Sequence, residues 1–291
     1  MTNKVHSIYL SILFLTGVLI TIGIAVYGFD YYSTSLEERF FNPLHNLLKP
    51  SGTVGHGLGI IGSFMMLIGV ASYMIRKRVR RLSRFGLLKH WLEFHIFLCS
   101  VGPILVLYHT SFKFGGIVSI SFWSMVAVVL SGVIGRFIYI QIPRTIQGHE
   151  KSFEELNEEN SEITIRLREK YKLDEKLLFT IEEFLIVESY ASVPFRKIFQ
   201  TMIKDYFNNK SILKKIKNRL DEYNLNKFRK KEIIKICKSK LVLTRRIGLL
   251  RSMQKLFKYW HIAHLPFAII MLVIMLIHVA VTVLFGYTWI F

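Results

Sequence analysis

The sequence predicts an all-α polytopic membrane protein, on three observations. Of its 291 residues 52% are hydrophobic, and the mean hydropathy is +0.36. The apolar residues gather into five blocks of about twenty residues or more, where a soluble helix would spread them at a three-to-four period. The basic residues crowd between the blocks and avoid their interiors. Blocks of this length cross a bilayer as helices, because hydrocarbon offers the backbone polar groups no partner outside the segment itself.

The spans fall at 7–28, 53–75, 91–112, 117–141 and 260–285. The first runs apolar from Ile8 to Phe29 and is followed by DYYSTSLEERF. It has no small-residue cleavage pattern, so it reads as a retained span and not a secretion signal. The second contains GHGLGIIGSFMMLIG, with Gly55, Gly59 and Gly62 at helical spacing. The third, HWLEFHIFLCSVGPILVLYH, carries His95 and His109; the fourth ends in SGVIGRFIYI. The last, HIAHLPFAIIMLVIMLIHVAVTVLF, carries His264 and His278.

Between spans four and five lies an insert whose segments SFEELNEENSEITIRLREKY, LDEKLLFTIEEFLIV, SVPFRKIFQTMIKDYF and SILKKIKNRLDEY mix apolar and charged residues at helical spacing. Pro194 and the asparagines near 208 and 224 are expected to separate them. From Lys227 to Trp260 no proline intervenes, which predicts a helix running from the insert into the last span. The organisation is therefore residues 1–144 as four transmembrane helices, 145–258 as a cytoplasmic helical insert, and 259–291 as the fifth span with an outer tail.

Orientation follows from charge. Residues 76–89 hold seven Lys or Arg and no acid, and residues 142–258 hold 27 basic against 16 acidic side chains. Cytoplasmic loops attract such an excess, so the N-terminus and the insert are expected in the cytoplasm and the C-terminus outside. The net charge of +19 is largely this topological signal. It does not indicate nucleic-acid binding, since the clusters flank spans and lack interleaved stacking aromatics.

Several chemistries are excluded. Cys99 lies in a span and Cys237 in the insert, so they are not expected to pair. No C-x-x-C-H marks a covalent haem, no cysteine spacing fits zinc or iron–sulfur, and no glycine-rich nucleotide loop is present.

The four span histidines remain. Fourteen residues advance a helix about 40° short of four turns and roughly 21 Å along its axis. His95 and His109 therefore leave from nearly one face, as do His264 and His278. Spans three and five are separated by one span and run parallel, which puts His95 level with His264 and His109 level with His278. An iron porphyrin has two axial positions, and neutral imidazole fills both in an electron-transfer cytochrome. Two such groups stacked between one pair of helices make a conductor through hydrocarbon. Gly102, midway between His95 and His109, would relieve pressure on the macrocycles; Met271 holds the equivalent place in the last span. Helix packing or a proton path is the other use of intramembrane histidine, which is costly enough to carry a functional hypothesis by default.

The paired H-x13-H helices resemble the di-haem four-helix core of cytochrome b and the membrane domain of ferric reductases and NADPH oxidases. The stretch from Leu92 to Arg144, with HIAHLPFAIIMLVIMLIH, is similar to bacterial di-haem cytochrome b-like subunits of respiratory chains. The resemblance covers about the membrane half of the chain. It implies two non-covalent b-type haems, ligands at His95, His109, His264 and His278, electron transfer across the membrane, and residence in a bacterial inner membrane. The long insert and the lack of a flavin domain depart from the reductase pattern.

Secondary candidates follow. The glycines of spans two and four, with Gly132 and Gly135, suit either close packing or a flat cofactor. His56 suits a quinone, a further haem, or a structural hydrogen bond. Glu93 and His261 suit proton handling beside a quinone or simple interfacial placement. Arg136, Arg84 and Lys113 suit haem propionates or lipid headgroups. The expected function is electron transfer between a quinone pool and a separate redox partner, such as a periplasmic multihaem cytochrome. The alternatives are a ferric-reductase-like conduit fed by a cytosolic flavoprotein, and a membrane anchor or assembly protein without redox chemistry.

Overall fold

A computed structural model describes residues 3–79, 81–82, 85–144, 150–171, 179, 198–222 and 225–285. Arg84, Pro194, the segment 173–178 and the tail beyond Phe285 lie outside the described residues. The described chain is helical: α1 (Asn3–Tyr27), α2 (Phe29–Ser33), a 3-10 turn (Glu38–Phe41), α3 (His45–Leu48), α4 (Thr53–Arg78), α5 (Leu88–His109), α6 (Gly116–Gln141), α7 (Phe153–Glu169), α8 (Ile198–Asp221) and α9 (Lys227–Leu284). Five of these, α1, α4, α5, α6 and α9, are long and apolar enough to cross a membrane, and the protein is an all-α polytopic membrane protein.

The chain divides into two compact units. The first comprises Met1–Gly135, Ile146–Gly148 and Trp260–Phe291; the second comprises Arg136–Thr145 and His149–Tyr259.

In the first unit α4 and α5 pack most closely, and glycine is the reason. A methyl group added to Gly62 would lie 2.7 Å from the Gly102 carbonyl oxygen, and one added to Gly102 would lie 2.7 Å from the Gly62 carbonyl oxygen. One added to Gly69 would reach the Cys99 sulfur at 3.0 Å. Small residues let helix backbones approach in lipid, where dispersion contact and not water exclusion drives association. Met66 of α4, Phe122 and Met125 of α6, and Met271 and Met275 of α9 then form a buried cluster, against which Val106 and Leu107 of α5 pack. The Ser121 hydroxyl donates to the Met271 carbonyl at 3.0 Å, tying α6 to α9 at this level. Helix α1 stands at the margin: Phe14, Leu19 and Val26 are exposed, as residues facing lipid are, while Gly17 lies against Val101 and Phe97 of α5.

The connection from α1 to α4 is organised by Arg39, which is buried. Its guanidinium donates to the carbonyls of Thr34, Tyr32 and Ser111. Ser111 and Phe112 adopt left-handed backbone conformations just past α5, with φ of 49° and 60°. This costs non-glycine residues free energy and persists only where the surroundings hold it. The Ser111 hydroxyl adds a bond to the Leu48 carbonyl at 2.9 Å. The end of α5, and with it His109, is thereby fixed from two directions.

In the second unit the amphipathic faces of α7, α8 and the first part of α9 meet around Leu167, Tyr171, Ile216, Leu220, Ile233, Cys237 and Leu241. Helix α7 opens with a capping box in which the Ser152 side chain accepts from the Glu155 backbone N–H and the Glu155 carboxylate accepts from that of Ser152. The asparagines near 208 do not break the chain as expected. Ile198–Asp221 is one helix, because a mid-helix asparagine costs only a fraction of a kcal/mol and burial of Ile216 and Leu220 outweighs it. Helix α9 continues unbroken for 58 residues, past Gly248 and Pro266.

Cys237 is fully buried, and burial pushes its thiol up to about 12, with Lys240 pulling slightly the other way. Thiolate is the reactive form. At pH 8 about one part in ten thousand is ionised, against roughly a quarter for a free cysteine. In a Cys99→Ala protein, Cys237 is therefore expected to alkylate about a thousandfold more slowly folded than unfolded. Timed iodoacetamide labelling followed by mass spectrometry checks this.

Candidate functional site

All four span histidines lie in the first unit and face its interior. Along the last span of α9, His264, Ala268, Met271, Leu272, Ile274, Met275, His278 and Thr282 are half-buried or buried, while Leu265, Phe267, Ile269 and Ile270 are exposed. Both histidines thus share the inward stripe with the core methionines. Helix α5 does the same with His95, Gly102 and His109, Gly102 being buried. At one level His264 lies in the electrostatic neighbourhood of His261 and His95, and at the other His109 lies in that of His278 and His56. The cluster of Met66, Met125, Met271 and Phe122 occupies the interval between the levels.

The hydrogen bonds around the rings define which nitrogen carries the proton. His109 Nδ1 lies 2.8 Å from the Gly55 carbonyl oxygen. A carbonyl only accepts, so Nδ1 bears the hydrogen and Nε2 keeps its lone pair. A methyl on Gly59 would meet the same ring at 2.8 Å, so this glycine serves the fit of His109 against α4. His264 Nδ1 lies 2.6 Å from the Ser131 hydroxyl oxygen. The single Ser131 hydrogen goes to the Val128 carbonyl at 2.9 Å. With that hydrogen on Val128, the Ser131 oxygen can accept from His264 Nδ1, the arrangement that leaves Nε2 unprotonated. Near His95 the Cys99 sulfur lies 3.5 Å from His95 Nδ1 and 3.9 Å from the Met66 carbonyl oxygen, so the thiol is placed to hydrogen-bond the ring. The Gly69 carbonyl also engages the His95 ring. His109 is thus held in the tautomer that offers Nε2 as a ligand nitrogen, and His264 and His95 each have Nδ1 beside a side-chain partner compatible with the same tautomer. Metal-bound histidines show this second contact almost without exception.

Other predicted residues distribute as follows. Gly102 faces Gly62 and Met66 of α4, so close helix packing accounts for the missing side chain there. A methyl on Gly132 meets no atom within 4 Å, whereas Gly135 closes on the Trp260 ring. Trp260 itself donates to the Ser131 carbonyl at 2.7 Å and stacks at 4.9 Å on His264. Arg136 belongs to the second unit, where its guanidinium sits 5.6 Å from the centre of the Tyr139 ring. His56 joins the His109 level, its ring 6.4 Å from that of His109 and within charge-interaction range of His278. Glu93 is buried at the start of α5 against His6 and His90. Lys113 is exposed.

The sequence reading missed the partners that hold the rings: Ser131, Cys99, and the carbonyls of Gly55 and Gly69. Ser131 and His264 are 133 positions apart, and a carbonyl leaves no trace in residue type. Cys99 carried a usable signal, since it lies one helical turn from His95. Arg39 was likewise passed over, although an arginine between two apolar spans is a natural anchor for loop carbonyls.

Beside the end of α5 lies a groove of about 350 Å³ lined in part by Phe29, Tyr32, Tyr108 and Phe112, with Arg39 as its buried cation. Tyr108 immediately precedes His109. No protein-family model matches the chain, and no curated protein or solved structure matches it.

Proposed function

We propose that this protein is a b-type membrane cytochrome that binds two haems between α5 and α9 and carries electrons across the bilayer. The observation behind this reading is the set of four inward-facing span imidazoles on α5 and α9, with Nδ1 of His109, His264 and His95 each beside a neighbouring group. His95 with His264, and His109 with His278, would hold the two haem irons. Bound haem supplies one-electron chemistry, and the protein supplies ligation, orientation and an apolar surround. The buried methionine and phenylalanine cluster between the levels keeps water from the interval and so favours transfer between fixed groups.

The electron partners are a membrane quinone and a separate redox protein, such as a multihaem cytochrome. The aromatic groove next to His109 supports the first, since a quinone ring takes stacking contacts and a few polar groups. The excess of Lys and Arg in 76–89 and 142–258 supports an N-terminus and insert in the cytoplasm, and the resemblance to respiratory cytochrome b-like subunits implies a bacterial inner membrane.

Purified protein tests the reading by pyridine haemochrome and a reduced-minus-oxidised spectrum. Two b haems per chain are expected, and a colourless protein from haem-sufficient cells would overturn the proposal. The hydrogen-bond argument makes a finer prediction. Ser131→Ala removes the acceptor of His264 Nδ1–H, and loss of such a contact typically weakens metal binding 10–100-fold. One haem of the two should become easier to extract and shift in potential, with Ser131→Thr restoring wild-type behaviour; redox titration and apomyoglobin transfer read both.

A further inference from the structure

A second cluster of ligand-type side chains lies apart from the four span histidines, where the start of α1 meets the start of α5. His6, His90 and Glu93 each direct a ligand atom to one place, all three within 4.8 Å of one another. His6 Nε2 is 3.3 Å from Glu93 Oε1, and His90 Nδ1 is 3.1 Å from Glu93 Oε2. The two imidazoles meet edge to face at 4.9 Å. We infer that His6, His90 and Glu93 form a binding site for a divalent transition metal of the zinc class.

Three features carry the inference. First, the ligand atoms converge: all three lie within 4.8 Å of one another, and His6 Nε2 and His90 Nδ1 stand 3.3 Å and 3.1 Å from the two oxygens of Glu93, close to the roughly 3.3 Å that separates neighbouring ligands around a zinc-class ion. Second, Glu93 is only 5% exposed, and its Oε1 together with both ring nitrogens of His6 are buried without a hydrogen-bond partner. His6 Nε2 and Glu93 Oε1 face each other at short range but are misaligned for a hydrogen bond. Buried polar atoms are costly when left unmatched, and an ion between them would satisfy both. Third, two imidazoles and a carboxylate are a donor set suited to a borderline divalent ion, with a fourth position open to water.

Among the described residues Lys89 lies beside the cluster, its Nζ 3.8 Å from Glu93 Oε1. Its side chain is more than half exposed, so it can swing outward as the ion enters. Tyr9 lies near, its ring 6.2 Å from that of His90. Because His6 belongs to α1 and the other two to α5, the ion would clamp the peripheral first span to the helix that carries His95 and His109.

Equilibrium dialysis of the detergent-purified full-length chain against buffered free zinc, read by metal mass spectrometry, tests the site. Zinc at one per chain is expected beyond any taken up by the span histidines, which a His95→Ala/His109→Ala background reveals separately. His6→Ala and Glu93→Gln should each weaken that uptake at least tenfold while helicity by circular dichroism stays unchanged. His6→Ala alters only the marginal helix, so it keeps the test valid where Glu93→Gln fails to fold. Unchanged zinc binding in a folded His6→Ala protein overturns the proposal, as does a wild type that takes up no zinc in excess of the span histidines. The cluster would then be a hydrogen-bonded network only. Haem content is recorded in parallel, so this outcome is independent of the two-haem reading.

Discussion

On the proposed two-haem reading, His109→Ala is expected to carry one haem against two in the parent, and to lose quinol-driven reduction of the remaining one. Alanine removes one of the two nitrogens that would hold this haem, and His278 alone would bind it more weakly. It also opens space between α4 and α5, because the His109 ring sits against Gly55 and Gly59. The couple of His95 and His264 lies about 21 Å away along the helices, so its haem should persist with a nearly unchanged spectrum. Pyridine haemochrome gives the stoichiometry, and stopped-flow mixing with a short-chain quinol gives the rate. Loss of both haems would mean that the couples fold as one unit; no loss would remove His109 from the ligand set.

Gly102→Val should be the most damaging single change that touches no histidine. Its branched carbons would have to enter a space where the Gly62 carbonyl stands 2.7 Å and Met66 2.9 Å from the first added atom. Neither a backbone carbonyl nor a helix packed along its length can move aside locally, so α4 and α5 must separate. Overpacking of this kind typically costs about 1–3 kcal/mol and more when backbone is displaced. Since His109 is seated against α4, the same separation releases its Nδ1 contact. A large drop in apparent Tm in detergent, with reduced haem retention, is the expected result; Gly132→Ala, which meets no neighbour within 4 Å, is the matched control and should be close to wild type.

The contrast between those two glycines bears on what a sequence can reveal. The five spans were legible because hydrophobic length is a one-dimensional property, and all five helices lie where the apolar blocks lie. The inward placement of the four histidines was legible too, since fourteen-residue spacing fixes a shared face whatever the neighbours are. Which glycine serves packing was not, because that depends on which helix arrives opposite. Gly102 sits midway between two histidines, yet α4 explains it. The His6 cluster was illegible for the same reason: His6 shares no spacing with anything on its own helix, and its partners are more than eighty positions away. The expected break near Asn208 failed because local propensity of a fraction of a kcal/mol yields to a buried face that only the assembled α7, α8 and α9 provide.

The most direct test of the two-haem account is a density map of the protein purified with its native cofactors. The account predicts two flat porphyrin-sized features in the first unit, one between Nε2 of His95 and His264 and one between Nε2 of His109 and His278, with Nδ1 of His264 on Ser131 and Nδ1 of His109 on the Gly55 carbonyl. A map in which these rings point to other neighbours, with side chains filling both intervals, would contradict it.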